Sequence, residues 1–400
     1  MTGLRLGVMT YDLFAGRERL MPWRLVLEVA QHMSRQGSEV VVFSATGRSG
    51  AATRTDLGGV TVRCIPRFGL QELLARLRER RVQALFWPFA KSSSLRPMSW
   101  LRELGIPVIG YTCTGQYEWD SVRATARQVG LKQAARLAVE SAVPWRFVAH
   151  RMSNNGVSRV ICTTEFIRKG LISGRWPSDR VHVIPPGKDP VEPHPGSALL
   201  EDLQQSWSRD SFYFLFLGPP TPVRGVNVLF RAFAQYCGRV DRGRLVCLFR
   251  KDPDSGAELP RDMRFADALN GRIVRIHRNL PRAEVQAFIA HARAVVLPFL
   301  YVPCEVPLTV YEAMSYGTPV LTTRSAGGRD NLDEAGWGLH PGAANELADA
   351  MTTIATDDVV YRRLRDAALE RIAAHPTWPE VAEQWLNVAG QSVAEKHSRV

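Results

Sequence analysis

Two carboxylates with six residues between them, Glu305 and Glu312, lie in the stretch YVPCEVPLTVYEAMSYGTPVLTT, residues 301–323. Glu305 falls in a Pro-rich loop and Glu312 near a helix start. Thr309–Tyr316 reads as a short helix, Gly317 as its stop and Pro319–Thr323 as a buried strand. Acids at helix starts are favoured by the helix dipole alone, so a structural role for both remains open at this point. A second feature changes the weighting. The strand FYFLFLG ends at Gly218, and PPTPVRG leads from it into the helix VNVLFRAFAQ. Arg224 therefore sits in a strand-to-helix loop, where backbone N–H groups and a guanidinium fork can face one anion. The N-terminus of the 309–316 helix, at Leu308 and Thr309, could hold a second part of a diphosphate. Glu312, an acceptor-only carboxylate, suits the adjacent hydroxyls of a ribose.

The elements that would carry these side chains alternate strand and helix. Leu6–Tyr11, Glu39–Ser44, Gly59–Ile65, Gln83–Trp87, Pro107–Tyr111, Val157–Thr163 and Val181–Pro185 read as strands, with helices at Leu25–Gln36, Gln71–Glu79 and Glu165–Ser173. The cycle restarts with strands at Phe212–Leu217, Leu245–Arg250, Ile273–Ile276 and Ala294–Leu297, and helices at Val226–Tyr236 and Arg282–His291. Such alternation predicts α/β architecture: two doubly wound, Rossmann-like domains whose strand ends face a shared cleft. The boundaries read as 1–190 for the first domain, 191–211 for a linker, 212–375 for the second domain and 376–400 for a terminal helix.

Composition narrows the class. Hydrophobic content of 45% and charged content of 22% are those of a water-soluble globular chain. The six cysteines are scattered, without C-x-x-C or metal-like spacing, which suits a reduced, cytoplasmic interior. The N-terminus runs straight into a strand and does not read as a signal peptide, and no apolar run reaches the roughly 20 residues that span a bilayer. Net charge is +12, but it is unevenly shared: residues 1–190 hold 28 basic and 14 acidic residues, residues 191–400 hold 23 and 25. An Arg-rich proteome explains the preference for Arg over Lys, not the surplus in one half. A basic half concentrates anionic partners, from phosphorylated substrates to an anionic membrane surface. Leu131–Met152, where Lys132, Arg136, Trp145, Arg146 and Phe147 interleave, could lie on such a surface, although Pro144 favours a half-buried helix pair. Asp252-Pro-Asp254 has D-x-D spacing but ordinary turn chemistry around it, and no His pair has zinc spacing. No metal is called for, and nothing points to nucleic acid.

The ordered set of motifs resembles one family. VSRVICTTEFIRKGL and RVHVIPPGKDP close the first half, GPPTPVRGVNVLFRAFAQ opens the second, VYEAMSYGTPVLTTRSAGG follows, and WPEVAEQWLNV ends the chain. Together they resemble the retaining glycosyltransferases of group 1 (family 4), over nearly the whole chain. The resemblance implies a GT-B fold with a last helix crossing back to the first domain. It also implies a nucleotide-sugar donor as substrate, with no cofactor, and a glycan or lipid-linked acceptor. Glu312 would bind the donor's ribose, Arg224 and the Leu308 and Thr309 amides its diphosphate, and Glu305 would lie closest to the transferred sugar. Gly16 would let backbone approach the donor from the first domain. Asn279 and Leu280 would lie near the base, and Ser325–Gly328, with Gly327 and Gly328, would line the sugar pocket. The chain departs from the pattern in several places. The family's two glutamates are separated by seven residues, and here Cys304 occupies the expected place of the first. Pro219 stands where a second phosphate-binding Arg is usual. The His that often follows the fourth strand of the first domain is replaced near Cys113 or Thr114, and the first loop lacks paired glycines. These departures keep a second reading open, a non-catalytic GT-B subunit that binds nucleotide or glycan and supports an active partner.

Overall fold

A computed structural model describes residues 3–46, 54–66, 70–96, 98–115, 119, 122–123, 126, 131–208, 211–250, 269, 271–301, 304–305, 307–324 and 332–398. The first domain is built on β1 (Arg5–Tyr11), β2 (Glu39–Thr46), β3 (Arg54–Leu57), β4 (Val60–Pro66), β5 (Ala84–Pro88), β6 (Val108–Thr112), β7 (Val157–Cys162) and β8 (Val181–Val183). Their order is β3-β4-β2-β1-β5-β6-β7-β8, parallel except for β3, which is antiparallel to β4. The second domain is built on β9 (Tyr213–Leu217), β10 (Arg244–Leu248), β11 (Ile273–Ile276), β12 (Ala294–Leu297), β13 (Val320–Thr323) and β14 (Gly336–Leu339), in the order β11-β10-β9-β12-β13-β14 and parallel throughout. The central strands are buried on both faces, hence the unbroken apolar runs such as YFLFL and AVVL.

Each sheet has one point where the chain reverses its direction of travel. In the first sheet it falls between β1 and β5, in the second between β9 and β12. The loops after these strands splay apart there, and open α/β sheets bind ligands in the crevice they leave. Arg224 lies on the loop after β9 and Glu305 on the loop after β12, so the two flank the second crevice.

The stretch 191–211 is not a bare linker. Ala198–Gln205 is a helix, capped by the Ser197 hydroxyl, which accepts from the Leu200 amide at 3.2 Å. Leu199, Leu200 and Leu203 recur at helical spacing and pack into the second domain's core. The last helix, Trp378–His397, crosses to the first domain and packs on the helix Trp23–Arg35. Trp385 anchors it there at 1% exposure, its ring 4.8 Å from Phe86 and 5.4 Å from Tyr111. Leu131–Ala142 and Trp145–Asn154 form the expected pair of helices, divided at Pro144.

Candidate active site at the domain seam

The two loops of the second crevice are tied into one unit. Leu300 and Tyr301 both donate their amides to the Val223 carbonyl, at 3.0 and 3.1 Å. Gly225 follows a short 3-10 turn, Pro222–Arg224, with φ of +73°. A Cβ there would fall 1.7 Å from the Pro298 carbonyl oxygen, so only glycine lets the loops approach this closely. Arg224, one residue earlier, lies over the Phe299 ring at 5.0 Å, which fixes the guanidinium beside the crevice.

Glu305 sits where the two domains touch. Its amide donates to the Cys113 carbonyl at 2.9 Å, and Thr114 and Cys304 form an antiparallel bridge beside it. Cys113 comes from the end of β6, so a strand-like contact joins the first domain to the loop after β12. Glu305 is 1% exposed, and Cys113 and Cys304 share one apolar cluster. A hydrogen bond with the Cys113 thiol, together with burial, pushes the Cys304 thiol well above its ordinary range. Arg224 pulls it down and Glu305 pushes it up, which places both charges within electrostatic reach of Cys304.

Glu312 lies one turn into the helix Leu308–Ser315, which Pro307 precedes and Gly317 follows at φ +66°. The first amides of that helix, at Leu308 and Thr309, have no intrahelical acceptor by construction and point towards the helix entrance. The Glu312 carboxylate is met by Arg24, whose Nη1 lies 3.3 Å from Oε1. Burial raises the Glu312 pKa; Arg24 opposes this, Asp189 adds to it, and Arg282 opposes it again. Arg24 comes from the first turn of the helix after β1 and is also bound by both oxygens of Asp189 at 2.6 Å. Sequence reasoning did not find Arg24 or Asp189. Their partners lie 288 and 165 residues away, and no local pattern marks them.

The remaining expected residues are spread more widely. Gly16 lies exposed in the loop after β1 with φ +93°, and no atom stands within 4 Å of where a side chain would begin. It flanks the first domain's crevice. Asn279 and Leu280 lie between β11 and the helix Arg282–Ala290; Asn279 is exposed, and Leu280 packs against the core. Gly327 and Gly328, with the rest of Ser325–Gly328, lie outside the described residues, as does Asp252-Pro-Asp254. Among the described residues no cluster of three His, Cys, Asp or Glu could hold a metal ion, and no helix is long and apolar enough to cross a membrane.

Two family models divide the chain between them. The model of "Glycosyltransferase Family 4" matches residues 23–192, and that of "Glycosyl transferases group 1" matches residues 211–357. The chain belongs to the group 1 glycosyltransferases. A curated relative, the D-inositol 3-phosphate glycosyltransferase of a Nocardioides species, is 26% identical over 275 residues, 62% of this chain and 57% of that protein. The chain thus spans little more than half of that relative's length. Among solved structures, sucrose-phosphate synthase from Thermosynechococcus elongatus superposes with a TM-score of 0.69 at 19% identity, covering 98% of this chain and 100% of that one. Anabaena HepE in complex with UDP-glucose gives a TM-score of 0.62 at 14% identity, covering 98% and 100%. At such identity the likeness establishes the fold, which is GT-B. In this group 1 glycosyltransferase the family model that ends at residue 192 stops three residues after Asp189, and the other begins at residue 211, just before β9.

Proposed function

We propose that this chain moves a sugar from a nucleotide-sugar donor to a glycan or lipid-linked acceptor, with retention at the anomeric carbon. The observation that carries the reading is the placement of Arg224 and Glu305 on the two loops flanking one crevice, with the helix Leu308–Ser315 starting directly after it. The second domain holds the nucleotide. Arg224 and the amides at Leu308 and Thr309 stabilise the charge that develops on the departing diphosphate, a role of the oxyanion-hole type. Glu312 accepts the ribose hydroxyls, Glu305 faces the transferred sugar, Gly16 approaches the donor from the first domain, and Asn279 and Leu280 lie beside the base. Domain closure excludes water and suppresses hydrolysis of the donor. The chemistry asks for no metal, since cationic and dipolar groups meet the diphosphate. The basic first domain holds an acceptor that is anionic or presented at an anionic membrane, which makes the enzyme a cytoplasmic one that works at the membrane surface.

The test is thermal unfolding of the whole chain against UDP-, GDP-, ADP-, CDP- and dTDP-sugars. UDP-sugars come first, because HepE is described in complex with UDP-glucose. A ligand at 100 times its Kd stabilises the native state by about 2.7 kcal/mol, a shift of several degrees. A shift with one nucleotide class that is lost in Glu312→Ala supports the donor site. No shift with any member sinks it in favour of a non-catalytic GT-B subunit. That second reading draws on the Pro at position 219 and on the burial of Glu305 to 1% exposure against the first domain.

A further inference from the structure

Three side chains from distant parts of the chain form a line at the domain junction. Asp189 lies in the segment leaving the first domain, Arg24 opens the helix after β1, and Glu312 belongs to the second domain. Arg24 Nη2 donates to both Asp189 oxygens at 2.6 Å, while Nη1 donates to Glu312 Oε1 at 3.3 Å. Asp189 takes two further donors: Arg282 Nη2 from the second domain at 2.9 Å and Trp378 Nε1 from the crossing helix at 2.8 Å. Glu28, one turn along the same helix, lies 3.6 Å from Arg24 Nε. Asp189 therefore gathers both domains and the crossing helix, with Arg24 as its best-buried ionic partner.

The electrostatics give Arg24 a task. The Arg24 and Asp189 side chains are 13% and 10% exposed and Glu312 is 26% exposed, so water screens them poorly. Removing one partner from such a set leaves an uncompensated charge, the costly case for buried ion pairs. Without Arg24, two carboxylates from opposite sides of the junction would repel across the gap. Arg282 cannot replace it well, because its side chain is 47% exposed and shares its charge with water. Arg24 also touches Glu312 through Oε1 only. Among the described residues Oε2 receives no hydrogen bond, which leaves that oxygen to accept a hydroxyl.

We propose that Arg24 is a positioning residue: anchored on Asp189, it holds Glu312 across the junction, setting both the closed angle of the domains and the aim of the Glu312 carboxylate at a cis-diol. The second half of this statement rests on the donor reading of Glu312; the first does not.

The test uses the full chain as wild type, Arg24→Met, Arg24→Lys, Arg24→Met/Asp189→Asn and Glu312→Gln. X-ray scattering reads the radius of gyration, and calorimetry reads the Kd of UDP-glucose. Arg24→Met should enlarge the radius and weaken UDP-glucose tenfold or more. Adding Asp189→Asn removes the like-charge repulsion and keeps a side-chain oxygen for Trp378, so the double variant should return towards the wild-type radius but, without Arg24 to aim Glu312, keep the weakened affinity. Arg24→Lys keeps the charge without the fork and should fall between; it carries the test if Arg24→Met does not fold. A wild-type radius in Arg24→Met, or wild-type affinity in the double variant, overturns the proposal. If wild type does not bind UDP-glucose, scattering alone decides. If Glu312→Gln binds UDP-glucose as wild type does while Arg24→Met is expanded, the donor reading fails and the role in closure stands.

Discussion

Cys113 and Cys304 meet across the domain junction, one just after β6 and one in the loop after β12, buried in one apolar cluster with the Glu305 amide bonded to the Cys113 carbonyl beside them. They stand near the two positions where the group 1 pattern has a His and a Glu.

This contact predicts a specific cross-link. Treatment with diamide should join Cys113 and Cys304, the two thiols giving up two protons and two electrons as the diazene becomes a hydrazine. The reaction should be slow near neutral pH and faster in alkali, because the thiolate attacks and the contact with Cys113 and burial hold the Cys304 thiol protonated. Peptide mapping under non-reducing conditions should recover the 113–304 pair, and dithiothreitol should reverse it. A different pair, or none, would show that the thiols do not come within bonding distance in solution.

Arg224 and Glu305 flank one crevice but should fail differently when altered. Arg224→Ala should lower kcat by roughly 10²–10³-fold, the usual loss for one preorganised charge-stabilising donor. Glu305→Gln should lower kcat and leave the Kd of the bare nucleotide within about twofold, since its expected contact is with the sugar. Equal losses of nucleotide affinity in both variants would place Glu305 at the diphosphate instead.

The pH dependence follows from Glu312. Burial raises its pKa above the ordinary 4.5, with Arg24 only partly opposing. A raised acid binds its proton more tightly folded than unfolded, so this group favours the folded state as pH falls and opposes it once ionised. In the role proposed for Glu312, donor binding runs the other way, because two hydroxyls need the ionised acceptor. Donor affinity should therefore drop as pH falls through the raised pKa, above the range of an ordinary Glu, and Glu312→Gln should remove that limb. Calorimetric Kd values from neutral pH to about pH 5 would decide it; superimposable profiles for the two proteins would rule Glu312 out as the titrating group.

What the sequence revealed here depended on how local the cause was. The helix Leu308–Ser315 was readable because Gly317 stops it, whereas the crossing helix followed only from the resemblance that WPEVAEQWLNV carries, its Thr377–Glu380 capping box emerging in the structure. The helix Ala198–Gln205 was hidden by polar, Pro-rich surroundings, although its leucines carry the right spacing. β3 and β14 were missed for opposite reasons: RTDL is a charged edge strand, and GWGL holds two glycines that read as loop. The seam was beyond reach. Arg24 with Glu312, and Cys113 with Cys304, are brought together by the docking of two domains, which no window along the chain can register.

Gly225 tests whether the two crevice loops act as one unit. Its φ of +73° and the Pro298 carbonyl 1.7 Å from any added Cβ leave no room for alanine without parting the loops. The backbone strain alone costs about 1–2 kcal/mol, and the parting breaks the bonds from Leu300 and Tyr301 to the Val223 carbonyl. Gly225→Ala should thus lower stability by at least that amount and, through displacement of Arg224, reduce kcat about as severely as Arg224→Ala. Urea unfolding and kcat measured on the same preparation separate the two effects. A variant that loses stability yet keeps kcat would show that Arg224 is placed by the Phe299 ring rather than by the loop, and the joint action of the loops would have to be abandoned.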